Sequence, residues 1–376
     1  MRIYLLLVYF LSTHFISEAQ TDSILYSFVV AGHTYGTPGI DNVGFHPPFK
    51  AKFTYIQGRP EIEFVVLTGD VIPSESDSKD WDEIDADIEE LDIPFYIAVG
   101  NHDIENRPLF ENRYGSTYYE FIYKNDLIIV LDPNIDCWDI SGDQLLFLQN
   151  AVESNYRDVD NIFVFFHQLL WQEPNNIYQN LMPNSYLDRK DNINFWTVIE
   201  PIFNALPNEV YFFSGDLGAT AKGSKIAYDH YDNISLIGSG MGYTYGENFV
   251  VVNVLKDKSV QYDLIYLEDI DDCICELQEY QLSPDSTKKS QRSFNFRVFQ
   301  SQVGEVLKIE LGNDLNAEFG IYDLMGQEIA THALAGESIT KIDLSKLQLG
   351  VYIGQIQNNL IKENFKLIIQ DKRKAY

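Results

Sequence analysis

The feature that most constrains this chain is a series of short apolar runs, each stopping at glycine and metal-binding residue types. Phe64-Val65-Val66-Leu67-Thr68 ends in Gly69-Asp70, and Phe95-Tyr96-Ile97-Ala98-Val99 ends in Gly100-Asn101-His102-Asp103. Ser27-Phe28-Val29-Val30 precedes Ala31-Gly32-His33, Phe163-Val164-Phe165-Phe166 precedes His167, and Val210-Tyr211-Phe212-Phe213-Ser214 precedes Gly215-Asp216-Leu217-Gly218. Such runs, bounded by turn formers, are the pattern of strands buried on both faces. In an open α/β sheet, sites form at the carboxyl ends of strands. Glycine allows close backbone approach there, Asp and Asn offer hard oxygen ligands, and His binds metal or moves a proton. Gly-Asp alone is also an ordinary turn, but nothing in turn chemistry asks for His between Asn and Asp.

Between the strands lie helical stretches. Pro48 to Ile56 can begin a helix at its prolines. Trp81 to Leu91 carries Ile84, Ile88 and Leu91 at helical spacing, and Asp143 is placed to cap Gln144 to Val152. Strand and helix in alternation predict βαβ units, with helices covering sheet.

At 376 residues the chain has room for more than one domain. A hydrophobic content of 45% argues against disorder, and a net charge of −29 disfavours nucleic acid and anionic membranes as partners. Residues 1–19 predict a signal peptide, with Arg2, the apolar Ile3 to Leu11, and small residues at Ser17-Glu18-Ala19. No later apolar run is long enough for a membrane span, so no transmembrane anchor is expected. In an oxidising compartment, Cys137 is expected to pair with Cys273 or Cys275, or the thiols are inert.

The ordered motifs over about residues 24–268 resemble those of the calcineurin-like metallophosphoesterases. Their pattern is Asp-x-His, Gly-Asp, Gly-Asn-His-Asp/Glu, a lone His, and Gly-His-x-His, each at a strand end. Asp126 to Asp132 and Ile234 to Gly240 resemble two further strands of that domain. The resemblance implies an α/β fold of αββα type, two packed sheets with helices outside. It implies a metal-dependent phosphoesterase acting on a phosphate ester, with one or two divalent ions (manganese, iron or zinc). Carried over by position, Asp70 would bridge the ions. Asn101, His167 and Asp216 would hold one of them, Asp216 standing where the family has His. His33 and Asp70 would serve the other. His102 would protonate the leaving oxygen, with Asp103 orienting it. The chain departs from the pattern at Ala31, Asp216 and Gly218, and His46 or Asp229-His230 are the candidates to supply missing ligands. A catalytically inactive relative that binds a ligand or partner at the cell surface is the alternative.

Residues 269–292 change character and read as a linker, with the polar run Pro284-Asp285-Ser286-Thr287-Lys288-Lys289. Residues 293–376 read as short strands separated by Val303-Gly304-Glu305, Gly312-Asn313-Asp314, Met325-Gly326-Gln327 and Gln357-Asn358-Asn359, the pattern of a small β-sandwich. Phe319 to Ile329, Ile342 to Leu347, Gly350-Val351-Tyr352 and Phe365 to Ile369 resemble a type A sorting domain of the type IX secretion system, although its opening Asn-Pro is absent. That resemblance implies secretion machinery as a partner, and a protein exported through the periplasm to the cell surface or medium. A carbohydrate-binding or adhesive β-domain is the alternative.

Overall fold

The computed structural model describes residues 23–73, 77–243, 245–268 and 276–283, and then 296–300, 306–311, 317–323, 327–334, 339–348, 350–357 and 362–369. The expected signal peptide lies outside the described residues, as do Cys273 and Cys275, so the expected disulfide does too; Cys137 is exposed. The chain forms two compact units, Met1–Asp285 and Ser286–Tyr376.

Eleven strands are described in the first unit: β1 (Ile24–Ala31), β2 (Ile62–Leu67), β3 (Phe95–Ile97), β4 (Tyr119–Tyr123), β5 (Asp126–Val130), β6 (Asn161–Phe166), β7 (Glu209–Ser214), β8 (Ile226–Tyr231), β9 (Ile234–Ser239), β10 (Asn248–Leu255) and β11 (Val260–Tyr266). They build two mixed sheets, ordered β11-β10-β1-β2-β3 and β4-β5-β6-β7-β9-β8. β1, β2 and β3 are mutually parallel, as are β5, β6, β7 and β9. The alternation along each strand decides the layering. Phe28 and Val30 of β1 meet Phe163 and Phe165 of β6 in a core between the sheets. Val29 and Ala31 turn the other way, toward Trp81 and Ile84 of the helix Ser78–Leu91. Ile162, Val164 and Phe166 turn out toward Leu148 and Val152 of the helix Gly142–Asn155. Central strands such as β1 and β6 are apolar on both faces because each sheet has a neighbour on both sides. The result is the expected αββα order of layers.

Local details differ from the sequence reading. The Pro48 to Ile56 stretch is two short helices, Pro47–Lys50 and Phe53–Gln57. Ser141, not Asp143, occupies the N-cap of the helix Gly142–Asn155; Asp143 sits in its first turn, where a carboxylate favours the positive end of the helix dipole. Inside the stretch read as a linker, Leu277 is buried in the core between the sheets, and Ser283 donates to Asp229 at 2.6 Å.

The second unit has β12 (Phe296–Gln300), β13 (Val306–Leu311), β14 (Ala317–Tyr322), β15 (Glu328–Leu334), β16 (Ile339–Asp343), β17 (Gly350–Gln357) and β18 (Lys362–Ile369). Sheets ordered β12-β13-β16 and β15-β14-β17-β18 share a core of Leu307, Ile309, Phe319, Ile321, Ile356 and Leu367. The Gly350-Val351-Tyr352 segment pairs antiparallel with Leu367 to Ile369. Most of the turn residues expected between these strands lie outside the described residues.

Candidate metal centre

The carboxyl ends of the parallel strands from both sheets meet at one place, and glycine is what lets them. A Cβ on Gly32 would stand 2.4 Å from the Cα of Gly215, and one on Gly215 would stand 2.1 Å from the carbonyl of Thr68. A Cβ on Gly69 would lie 2.6 Å from His167 Nδ1, and one on Gly100 would lie 2.2 Å from Asp70 Oδ1. No side chain fits at such separations, so the ends of β1, β2, β3, β6 and β7 touch backbone to backbone.

Asp70 is the hub. It follows β2 in a left-handed conformation, φ 50°, and is buried. Its Oδ2 lies 3.3 Å from His167 Nε2, 3.7 Å from His33 Nε2 and 4.0 Å from His102 Nε2. Asp216 Oδ1 lies 3.8 Å from the same nitrogen of His167. Asp70, His167 and Asp216 each offer a ligand atom, and these atoms all lie within 4.8 Å of one another. The remaining contacts fix their roles. His167 Nδ1 donates to the Thr68 carbonyl at 2.8 Å, which turns Nε2 toward the two carboxylates. His167 Nε2 and Asp216 Oδ1 are both fully buried and have no hydrogen-bond partner. Buried polar atoms left without a partner are costly, on the order of 1–3 kcal/mol each, and a divalent cation that displaced the protons of these groups would remove that cost. One imidazole and two carboxylates form a donor set suited to manganese, iron or zinc.

The electrostatics agree. Burial by itself would raise the Asp70 carboxyl, but His167, His102 and His33 together hold it far below the usual carboxylate range. Burial acts against a charge on His167 too, yet Asp70 and Asp216 override it and raise the imidazole to about 10. Burial, then Asp70, pushes Asp216 up to about 8, against the pull of His167 and the main-chain N–H groups of Asn184 and Ser185. Burial lowers His33 to about 4 despite Asp70, so that ring is neutral. A cation placed among these groups would take over from the protons they hold.

The other expected residues divide. His102 keeps 21% of its side chain exposed beside Asp70, as a ligand-contacting group must. Asn101 is half-buried on the same turn. Asp103 is a positioning residue: Oδ1 accepts from the Val71 and Ile72 N–H at 2.8 and 3.2 Å, and Oδ2 from the Gly100 N–H at 2.8 Å. It clips the Gly69-Asp70 loop to the Gly100 loop.

The expected substitute ligands are engaged elsewhere. His46 Nε2 meets Glu247 Oε1 at 3.0 Å, Asp229 accepts from Tyr178 at 2.5 Å, and His230 meets Ser235 at 3.1 Å. Gly218 has φ 88°, and a Cβ there would stand 2.5 Å from the Gly240 main chain; Ala31 is fully buried in the apolar core. Of the ligands expected for the other ion, His33 and Asp70 stand 3.7 Å apart.

Sequence reasoning missed Tyr35. Its ring lies 4.3 Å from His33 and stacks on His102 at 5.2 Å. Nothing but its place two residues after His33 could have pointed to it. Also missed was Asn134, which donates to the Val99 carbonyl at 3.2 Å and accepts from Gln168, next to His167, at 2.5 Å. It lines a cleft of about 710 Å³ with Ile104, Arg107, Thr117 and Tyr118.

Comparison with known proteins fits this geometry. The model of the calcineurin-like phosphoesterase family matches residues 28–262, and that of a secretion system C-terminal sorting domain matches residues 303–370. No curated protein matches significantly. Among solved structures, a candidate 5′-nucleotidase of Staphylococcus aureus, solved with α-ketoglutarate, is similar at 13% identity and a TM-score of 0.43, over 67% of this chain and 56% of that one. A calcium-binding mutant of Bacteroides uniformis β-glucuronidase 2 aligns at 9% identity and a TM-score of 0.23, over 91% of this chain and 45% of that one. This chain thus spans about half the length of either neighbour.

Proposed function

The chain belongs to the calcineurin-like phosphoesterase family, and from that premise we propose that it is an exported phosphoesterase whose centre holds one tightly bound divalent ion. The observation that carries the reading is the pair of buried, unpartnered atoms, His167 Nε2 and Asp216 Oδ1, facing Asp70. Asp70, His167 and Asp216 would hold the ion, with Asn101 beside them. When bound, a divalent ion supplies Lewis acidity and a water of lowered pKa, which neutral water attacking a phosphate ester lacks. Asp70 fixes the reacting region by drawing three imidazoles around one oxygen. Asp103 holds the two loops that carry Asp70 and His102 in register. His102, partly exposed, contacts the phosphate and gives its proton to the departing oxygen. The surrounding apolar strands keep bulk water out.

For export, residues 1–19 act as the signal peptide and residues 293–376 as the sorting signal for type IX machinery, joined to the 24–268 domain by 269–292. The match of the sorting-domain family supports this.

A second reading, a ligand-binding relative without turnover, is favoured by one observation: the Gly240 main chain occupies the space that a side chain at position 218 would need. Elemental analysis, with turnover of 4-nitrophenyl phosphate and its bis-ester, tests both. About one ion per chain and hydrolysis abolished in His167→Ala supports the enzyme. One ion with no turnover on either ester supports the binding protein. Two tight ions per chain, one lost on changing His46 or His230, would refute the single-ion centre.

A further inference from the structure

The side of the centre where a second ion would sit has lost its ligands and gained an aromatic ring. Ala31 offers no donor, and the Gly240 main chain closes off position 218. His33 remains, buried, with Nε2 3.7 Å from Asp70 Oδ2, but Tyr35 packs against its ring at 4.3 Å. The opposite neighbour of Tyr35 is His102, with rings 5.2 Å apart and 20° from parallel. Tyr35 therefore lies between the residue left over from the second-ion site and the imidazole assigned to the phosphate.

Its backbone is held from both directions. The Tyr35 N–H donates to the Asp70 carbonyl at 3.2 Å, and its own carbonyl accepts from Asn42 Nδ2 at 2.8 Å. The residue is only 4% exposed, no hydrogen bond joins its hydroxyl to a described residue, and that oxygen is not among the buried atoms without a partner. The ring packs tilted against His33 and stacked on His102, and Asp70, Asp103 and Asp216 lie within electrostatic reach.

We propose that Tyr35 is a substrate-contacting residue, whose O–H donates to a non-reacting phosphoryl oxygen on the side where Ala31 and Gly218 leave a second ion without ligands. A fixed neutral donor in a water-poor site stabilises developing negative charge without reorganising. It would do part of the work of a second cation while adding no charge. The stack on His102 also holds that imidazole in line with the same phosphoryl group. The inference rests on the phosphoesterase reading above.

The test uses the full metal-loaded protein and Tyr35→Phe, which keeps the ring contacts with His33 and His102. Calorimetric titration with inorganic phosphate is run beside metal analysis, thermal melting and kcat/KM on 4-nitrophenyl phosphate. The expected result is unchanged metal content and melting, with phosphate binding and kcat/KM each weakened about 10- to 100-fold, the range for a lost hydrogen bond to a charged oxygen. Tyr35→Leu, which removes the ring contacts as well, should lose at least as much. Wild-type hydrolysis with equal phosphate affinity in wild type and Tyr35→Phe overturns the role of Tyr35 and leaves the phosphoesterase reading standing. Metal-loaded wild type that neither hydrolyses the ester nor binds phosphate overturns both.

Discussion

Loading the centre with metal should drive protons off the protein, and the structure says how many. A ligand must be deprotonated to bind a cation. Asp70 is already ionised, because its carboxyl is held far below the usual range by three imidazoles. His33 is already neutral, at about 4. The two groups that must change are His167, raised to about 10, and Asp216, raised to about 8. At pH 7 both carry their protons, so binding should release about two protons per ion; at pH 9 only His167 does, and about one should be released. Apparent affinity should accordingly rise about 100-fold per pH unit below pH 8, and about 10-fold per unit between 8 and 10. The sign is fixed, since affinity is lost as pH falls through each group's value. The assay is calorimetric titration of apo-protein with manganese or zinc, in buffers of different ionisation enthalpy at one pH, which counts protons directly. Asp216→Asn should bind more weakly and release about one proton at pH 7. Binding at pH 7 without proton release, or release unchanged in Asp216→Asn, would refute the coupled site.

Asp103→Ala orphans the buried N–H groups of Val71, Ile72 and Gly100, so it should cost about 3–6 kcal/mol in urea titration and also weaken metal binding; a cost below about 1 kcal/mol would show that those bonds do not hold the loops. Gly218→Ala places a Cβ 2.5 Å from the Gly240 main chain at φ 88°, so it should destabilise by about 2–4 kcal/mol and lower the melting temperature by several degrees. Restoring ligands with Ala31→Asp plus Gly218→His should likewise fail to add a second tight ion; two ions by elemental analysis would contradict the closed space. Removing residues 293–376 should leave a folded, metal-binding chain, because the first unit has its own cores. Fractionation in a host with type IX secretion should find that chain stalled in the periplasm, and equal surface or medium levels for both forms would count against a sorting role.

The sequence by itself determined the strands, the layering and the metal-ligand residue types. Runs such as Phe163 to Phe166 are apolar at every position, which only a strand covered on both faces tolerates, and Gly-Asp and Gly-Asn-His-Asp mark where those strands end. Asp70, His167 and Asp216 are named by their match in order to the family's motifs, and the structure brings the three together. Tertiary structure alone decided which residues meet. Asp103 follows His102 in sequence, but its carboxylate reaches main chain on a loop more than thirty residues away in the chain. His46 has a ligand's side chain, but Glu247, about two hundred residues distant, takes it. Position 218 reads only as a missing histidine until the Gly240 main chain is seen to occupy the space. Tyr35 gave no signal, since a ring packed against two histidines is a fact of distance in space. Strand formation is local, set by hydropathy and turn chemistry over a few residues. A site is made of contacts between strand ends far apart in sequence, and only the packed sheets bring those together.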